Sequence, residues 1–229
     1  MVADDRYEWT HIPCDKADKT IYIRDIYKSW YVTGINDRIS NMNQLILFLK
    51  HETDGYETVT IGSSSGGYLA ALLSYYLHAA YSIVFSAQFE LNNKWAINAN
   101  PFLQKMKNNP EAAQYYDLKP ILMQSTTPIF YIVPFKCEQD YYHWNYIRDV
   151  PCVRSLRFSS RHHGVVLLKN NLNRLINMDY EELEELFSKK ANRLQSPILF
   201  SCEFVGAKRT IKELLHVTKN LIKRKFLKR

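Results

Sequence analysis

Residues 57–77, ETVTIGSSSGGYLAALLSYYL, constrain the fold more than any other part of this 229-residue chain. A short β-branched run comes first, a turn of glycines and serines follows, and a long apolar segment with small residues completes the stretch. Short apolar runs are typical of strands buried on both faces, and a helix with small residues can pack closely on such a sheet. The stretch therefore predicts a strand, a tight turn and a helix, which together form half of a parallel α/β unit.

The same alternation of apolar strands and helical segments recurs along the chain. SNMNQLILFLKHE (residues 40–52) predicts a helix that begins after Ser40 or Asn41, and further strands are predicted at residues 19–25, 81–89, 128–135 and 152–159. Strands separated by helices favour right-handed crossovers and a mainly parallel sheet flanked by helices. Since no linker or composition shift divides the chain, the sequence predicts one α/β domain over residues 1–229.

Residues 90–127 fit this alternation less well. Asn and Pro residues surround two short helical pieces there, which predicts a small cap inserted between strands. Such an insert would lie over the carboxyl ends of the strands, where its aromatic side chains could select a substrate. The same side chains could equally pack the insert onto the body; they are Trp95, Phe102, Tyr115 and Tyr116.

The turn at residues 62–66 matches the pattern G-x-S-x-G in its required setting, after a strand and before a helix. In such a nucleophile elbow the chain turns so tightly that side chains at the two glycines, Gly62 and Gly66, are expected to strike their neighbours. The central residue, Ser64, is then the candidate nucleophile. The backbone N–H of Ser65, at the helix N-terminus, is a candidate donor to an oxyanion.

A glycine- and serine-rich turn before a helix can also bind phosphate through its backbone amides. The lysine that follows the last glycine of a Walker motif is missing here, because Tyr68 follows Gly67. The sequence therefore favours the nucleophile elbow over a phosphate site.

Candidate partners for a serine nucleophile follow the next predicted strands in the order acid, then histidine. Asp140 comes after the strand at 128–135, and His162 and His163 come after the strand at 152–159. Because the carboxyl ends of parallel strands meet at one edge of a sheet, these side chains are expected near Ser64. Glu138 and Asp149 are the rival acids.

With these motifs, residues 19–178 resemble the α/β-hydrolase fold family, in trimmed form. The resemblance implies that Ser64 is the nucleophile, Ser65 an oxyanion donor, Asp140 the acid and His163 the base. His163 is preferred over His162 because the family's histidine is often followed by a small residue and an apolar helix, as in Gly164-Val165-Val166.

The resemblance also implies a second oxyanion donor after the strand at 19–25, at Ile26 or Tyr27, with Tyr27 preferred. The sequence there is DIYKSWYVTG, without the HGGG-type glycine run of lipases. The sequence therefore does not predict the geometry of the oxyanion hole.

The chemistry implied is acyl transfer through a covalent serine intermediate, as ester hydrolysis or as O-acyl transfer. A looser resemblance, to bacterial members that add or remove acetyl groups on surface saccharides, implies a saccharide ester substrate. A transferase would need an acyl donor such as acetyl-CoA, and no other cofactor is expected. The cysteines show no CxxC pair and no histidine at ligand spacing, so neither a metal site nor a disulfide framework is expected.

The positive charge of the chain is concentrated in its last residues. Residues 208–229 contain nine Lys or Arg and one Glu, whereas the other 207 residues hold 21 basic and 22 acidic side chains. Apolar residues recur there with helical spacing, which predicts a basic amphipathic C-terminal helix. Such a helix can bind an anionic membrane or a protein partner, or it can pack on the sheet. Nucleic acid is disfavoured because the body is near neutral.

No signal peptide or spanning segment is recognisable in the sequence, so the expected location is the cytoplasm, either free or peripheral at the inner face of the membrane. Two classes of function stay open at this point. One is a serine enzyme that acts through Ser64; the other is a catalytically silent protein that docks through residues 208–229.

Overall fold

The computed structural model describes Tyr7, Thr10 and residues 14–226. A five-stranded, all-parallel sheet has the strand order β1-β2-β3-β4-β5, with β1 at Val59–Ser63, β2 at Tyr81–Phe85, β3 at Ile129–Pro134, β4 at Val153–Phe158 and β5 at Leu194–Gln195. The helices are α1 (Met42–Glu52), α2 (Ser65–Tyr76), α3 (Lys94–Ala99), α4 (Phe102–Met106), α5 (Pro110–Ala113), α6 (Lys119–Leu122), α7 (Glu138–Ile147), α8 (Lys169–Ile176), α9 (Tyr180–Lys190), α10 (Pro197–Val205) and α11 (Ala207–Phe226).

Helices cover both faces of the sheet and create two cores. In the fully buried strand β3, Tyr131 and Val133 face a core that also contains residues of α1 to α7. Phe130 and Ile132 point the other way, into a core formed with α8, α9 and α10. The alternation follows from the two-residue period of a strand, and burial on both faces explains the continuous apolar run of β3. The predicted parallel α/β architecture is thus confirmed.

Four of the five predicted strands are present, with bounds a few residues shorter than predicted. The strand predicted at 19–25 is wrong, because this segment runs beside the outer edge of β1 without joining the sheet. Both segments line a groove of about 1490 Å³, whereas paired strands lie only about 4.8 Å apart. Ile21 and Ile23 still pack against the first core while Tyr22 points outward, so the alternating pattern reflects an extended but unpaired segment.

The insert at residues 90–127 contains α3 to α6, four short helices rather than two. Tyr115 and Tyr116 are buried in the first core, so these two aromatics pack the insert onto the body. The insert also contacts elements that carry predicted site residues. Asn100 Nδ2 donates to the carbonyl of Lys28 at 2.8 Å, and Lys94 in α3 forms a 2.7 Å ion pair with Glu138 in α7.

The C-terminal segment forms helix α11, as predicted, and residues 227–229 of that prediction lie outside the described residues. This helix packs mainly on α10 and α8. Within residues 14–226, none of the helices combines the length and the apolar character that crossing a bilayer requires.

Candidate active site

Ser64 lies in a strained turn between β1 and α2. Its backbone has φ 55° and ψ −119°, in the left-handed half of the map that costs a non-glycine residue about 1–3 kcal/mol. Two hydrogen bonds hold it there: Ser64 N–H donates to the carbonyl of Phe85 at 2.9 Å, and Tyr68 N–H donates to the carbonyl of Ser64 at 3.0 Å. Strand β2 and helix α2 therefore impose the conformation that presents the Ser64 side chain.

The glycines of this turn differ in what they tolerate. A Cβ on Gly62 would lie 2.0 Å from the carbonyl oxygen of Gly66, so Gly62 is required as predicted. A Cβ on Gly66 would meet nothing closer than the Tyr31 hydroxyl at 4.0 Å, and the prediction that Gly66 is needed for close approach is therefore wrong. Gly67 is the second constrained position, because a Cβ there would lie 2.9 Å from the Cβ of Ala87.

Ser64, His163 and Asp140 form a continuous hydrogen-bonded chain. His163 Nε2 lies 2.9 Å from Ser64 Oγ, and His163 Nδ1 lies 3.0 Å from Asp140 Oδ2. Because an ionised carboxylate only accepts, Nδ1 carries the proton and donates it to Asp140. The lone pair of Nε2 then faces the Ser64 hydroxyl, which donates to it. The arrangement can move a proton from Ser64 to His163.

The burial of the two partners suits this direction of transfer. The Asp140 side chain is 1% exposed in the first turn of α7, while that of His163 is 30% exposed. A carboxylate held away from water keeps a strong hydrogen bond to the imidazole. The His163 side chain is partly exposed and Ser64 is half-buried, so the hydrogen-bonded chain reaches the protein surface at this end.

The rival residues lie elsewhere. Glu138 and Asp149 are exposed and form ion pairs with Lys94 and Lys119, both at 2.7 Å. His162 is also exposed, and among the described residues it forms hydrogen bonds through its backbone alone, with the Ser160 hydroxyl. Of the alternatives that the sequence left open, Asp140 and His163 are the pair brought to Ser64.

Ser86, which sequence reasoning missed, anchors the loop that carries His163. Its hydroxyl donates to the carbonyl of Gly164 at 2.8 Å and accepts from the N–H of Gly164 at 3.0 Å. Gly164 has φ 108°, a conformation that favours glycine. Ser86 follows β2 directly, and a polar residue at the end of a strand is a signal that the sequence offers. The signal was missed because the strand was predicted to continue to residue 89.

Gln88, the second missed residue, contacts Ser64 directly. Its side-chain Oε1 accepts from the indole N–H of Trp30 at 2.9 Å, and its Nε2 donates to Ser64 Oγ at 3.3 Å. Since an indole nitrogen only donates, Trp30 fixes the orientation of the Gln88 amide and turns the NH₂ group toward Ser64. The Ser64 oxygen therefore accepts from Gln88, which leaves its own proton for His163.

The predicted oxyanion donors have different surroundings. Ser65 is the first residue of α2, where the first N–H groups of a helix have no acceptor within the helix. Tyr27 N–H donates instead to Asp25 Oδ1 at 3.2 Å, and Asp25 Oδ2 accepts from Tyr31 N–H at 3.2 Å. Burial raises the pKa of Asp25, although these N–H groups oppose the shift. A role for Tyr27 as oxyanion donor stays a prediction, and an oxyanion would compete with Asp25 for its N–H.

A second histidine, His143, lies one turn after Asp140 in α7. Its Nδ1 accepts from the N–H of Phe89 at 3.3 Å, so its proton is on Nε2. Burial lowers the pKa of His143 to about 3, helped by the nearby His163. His143 is therefore uncharged at neutral pH and leaves His163 as the imidazole that can accept a proton at this site. Both His143 Nε2 and Asp140 Oδ1 are buried without a hydrogen-bond partner in the described residues.

One further side chain, Cys137, borders the hydrogen-bonded chain. Its sulfur and the ligand atoms of Asp140 and His163 all lie within 4.8 Å of one another, a set of donor types that Zn²⁺ accepts. An ion held by all three would take one imidazole nitrogen of His163 away from Ser64 or Asp140. Burial raises the pKa of the Cys137 thiol, which disfavours the thiolate that such an ion needs.

The chain was compared with known proteins, and no family model, curated protein or solved structure matches it.

Proposed function

We propose that the protein is a serine enzyme that transfers acyl groups, with Ser64 as nucleophile, His163 as general base and Asp140 as the residue that orients the base. The observation that carries this proposal is the hydrogen-bonded chain from Ser64 through His163 to the buried Asp140, with distances of 2.9 and 3.0 Å. The strained backbone of Ser64 supports it, because strain of this kind persists where a side chain must be held in one position.

The reaction proceeds in two halves. Ser64 Oγ attacks the ester carbonyl carbon while His163 Nε2 takes the hydroxyl proton, and the N–H of Ser65 donates to the resulting oxyanion. The bond from the carbonyl carbon to the leaving group then breaks, a C–O bond in an ester or a C–S bond in an acyl-CoA donor, and His163 returns its proton to the departing oxygen or sulfur. Water, or a second hydroxyl in a transferase, then attacks the acyl-enzyme carbonyl while His163 takes its proton. The bond from the carbonyl carbon to Ser64 Oγ breaks, and His163 returns the proton to Ser64 Oγ.

The architecture we propose is a trimmed α/β-hydrolase fold with residues 90–127 as its cap. Support comes from the order of the elements, because nucleophile, acid and histidine follow the parallel strands β1, β3 and β4 of one sheet. The unpaired segment at 19–25 and the absence of an HGGG run distinguish this chain from lipases. An O-acylated saccharide is the substrate class we favour, with hydrolysis ahead of O-acyl transfer from a donor such as acetyl-CoA.

A fluorophosphonate probe tests this function directly, because it reacts with a serine only when a base activates the hydroxyl. We expect covalent labelling of the purified protein at one site. Peptide mass spectrometry should identify that site as Ser64, and Ser64→Ala should abolish labelling while the circular dichroism spectrum is unchanged.

Ser63→Ala and Ser65→Ala are the matched controls, since each removes one hydroxyl from the same turn. Both should still be labelled at Ser64, because Ser65 contributes its backbone N–H. Labelling at either neighbour in place of Ser64, or a well-folded protein that no probe labels, would refute the assignment of Ser64.

Gln88→Glu should slow labelling about 100-fold, at the lower end of what a general base contributes. A glutamate keeps the size of the side chain and can still accept from Trp30, but its carboxylate accepts a hydrogen bond from Ser64 and turns the hydroxyl away from His163. The rate constant of labelling by the probe measures the effect. Gln114→Glu, the same change at an exposed position, is the control and should leave the rate unaltered.

A further inference from the structure

Helix α11 is fixed to the body along one side only. Thr210 is buried, and its hydroxyl lies 2.9 Å from that of Ser201 in α10. The carboxylate of Glu213 accepts from the backbone N–H groups of Lys169 and Asn170, at 2.6 and 3.2 Å, at the start of α8. These contacts orient the helix and direct its opposite side to the outside.

The outward side carries a stripe of apolar side chains. Ile211, Leu215 and Ile222 are 56%, 67% and 52% exposed, and at about 100° per residue they lie within about 40° of one another around the helix axis. The neighbouring helix α10 exposes two more large apolar side chains, Ile198 and Leu199. A fixed helix that presents such a stripe needs something to cover it.

A row of lysines runs beside the apolar stripe. Lys208, Lys212, Lys219 and Lys223 are all exposed and lie within about 60° of one another, next to the side of the stripe marked by Leu215. The single acidic residue of the segment, Glu213, faces α8 instead. The outward side of α11 therefore combines apolar and cationic groups without an acidic one.

We propose that α11 is a membrane-surface helix that holds the protein on anionic lipid. Apolar side chains beside lysines match the boundary between acyl chains and anionic headgroups, where both kinds of group are satisfied at once. A nucleic acid would leave the apolar stripe uncovered. The helix also lacks the apolar character to span the bilayer, so it lies in the interface plane. This inference does not depend on the chemistry of Ser64.

The test is co-sedimentation of the full-length protein with vesicles. Vesicles of phosphatidylcholine and phosphatidylserine in equal parts should bind the protein, whereas phosphatidylcholine alone should bind far less, and high salt should weaken the binding. Two double variants, Leu215→Gln/Ile222→Gln and Lys212→Gln/Lys219→Gln, should each weaken binding to the anionic vesicles at least about tenfold.

Matched controls separate this surface from the rest of the protein. Val217→Gln removes an apolar side chain from another side of the same helix, and Lys50→Gln/Lys105→Gln removes two exposed charges elsewhere; both should bind like the unaltered protein. Equal binding to neutral vesicles, or unchanged binding by the double variants, would overturn the proposal. The proposal would also be overturned if the protein self-associated and Leu215→Gln abolished the self-association, because the stripe would then be covered by a second copy of the chain. Labelling of Ser64 should persist in every variant, which keeps this test independent of the enzymatic one.

Discussion

Asp140→Asn is expected to slow acylation of Ser64 by about 10⁴-fold while leaving the fold intact, the loss known for the same change in a Ser-His-Asp enzyme. In the structure, Asp140 Oδ2 accepts from His163 Nδ1 and so keeps the lone pair of Nε2 toward Ser64. An asparagine that presents its NH₂ group would favour a proton on Nε2 and remove the base. The rate of labelling by a fluorophosphonate probe measures the loss, and thermal unfolding verifies the fold.

The two rival acids give sharp controls for this experiment. Asp149→Asn and Glu138→Gln neutralise carboxylates close in sequence to Asp140, but each is exposed and paired with a lysine. Exposed ion pairs contribute little to stability, so both variants should behave like the unaltered protein. If all three substitutions slowed labelling equally, a general loss of negative charge would explain the effect and Asp140 would have no special role.

The parts of the site that the sequence predicts are those tied to a strand end. Ser64, Asp140 and His163 each follow an apolar run, and the carboxyl ends of parallel strands share one edge, so proximity follows from topology alone. Gln88 and Ser86 were hidden because Ala87 and Phe89 continue an alternating strand pattern past the end of β2 at Phe85. Their roles depend on where a side chain points, and periodicity does not carry that information.

The failure at residues 19–25 has a different cause. Ile21 and Ile23 pack inward while Tyr22 points outward, as in a strand, but pairing also needs a neighbouring backbone within hydrogen-bond distance, and this segment and β1 line a groove together instead of pairing. The helical spacing of α11 likewise predicted an amphipathic helix. It did not predict that Thr210 and Glu213 would contact α10 and α8 while Ile211 and Leu215 remain exposed. In both segments the sequence pattern predicted the spacing of inward and outward side chains, but tertiary contacts determined whether the segment pairs with a strand and which side chains are buried.

Gly62→Ala is expected to have the largest effect on stability, a loss of more than about 4 kcal/mol, because the added Cβ would lie 2.0 Å from the backbone oxygen of Gly66. No side-chain rotation relieves a clash with backbone, so strand β1 and helix α2 would have to separate. Gly67→Ala meets Ala87 at 2.9 Å and should lose about 2 kcal/mol, as overpacked positions do. Urea unfolding measures both losses.

Gly66→Ala is the decisive comparison, since it makes the same change one residue before Gly67 in the same turn. Its Cβ would have a nearest neighbour at 4.0 Å, and a helical alanine has fewer unfolded conformations to lose than glycine, so stability should rise by about 0.5 kcal/mol. Labelling of Ser64 should persist in this variant. Equal destabilisation by Gly66→Ala and Gly62→Ala would mean that the turn packs differently from the geometry described. The expected ranking, with Gly62→Ala the most destabilised and Gly66→Ala not destabilised, would show that the need for glycine in this turn comes from Gly62 and from the contact of Gly67 with Ala87.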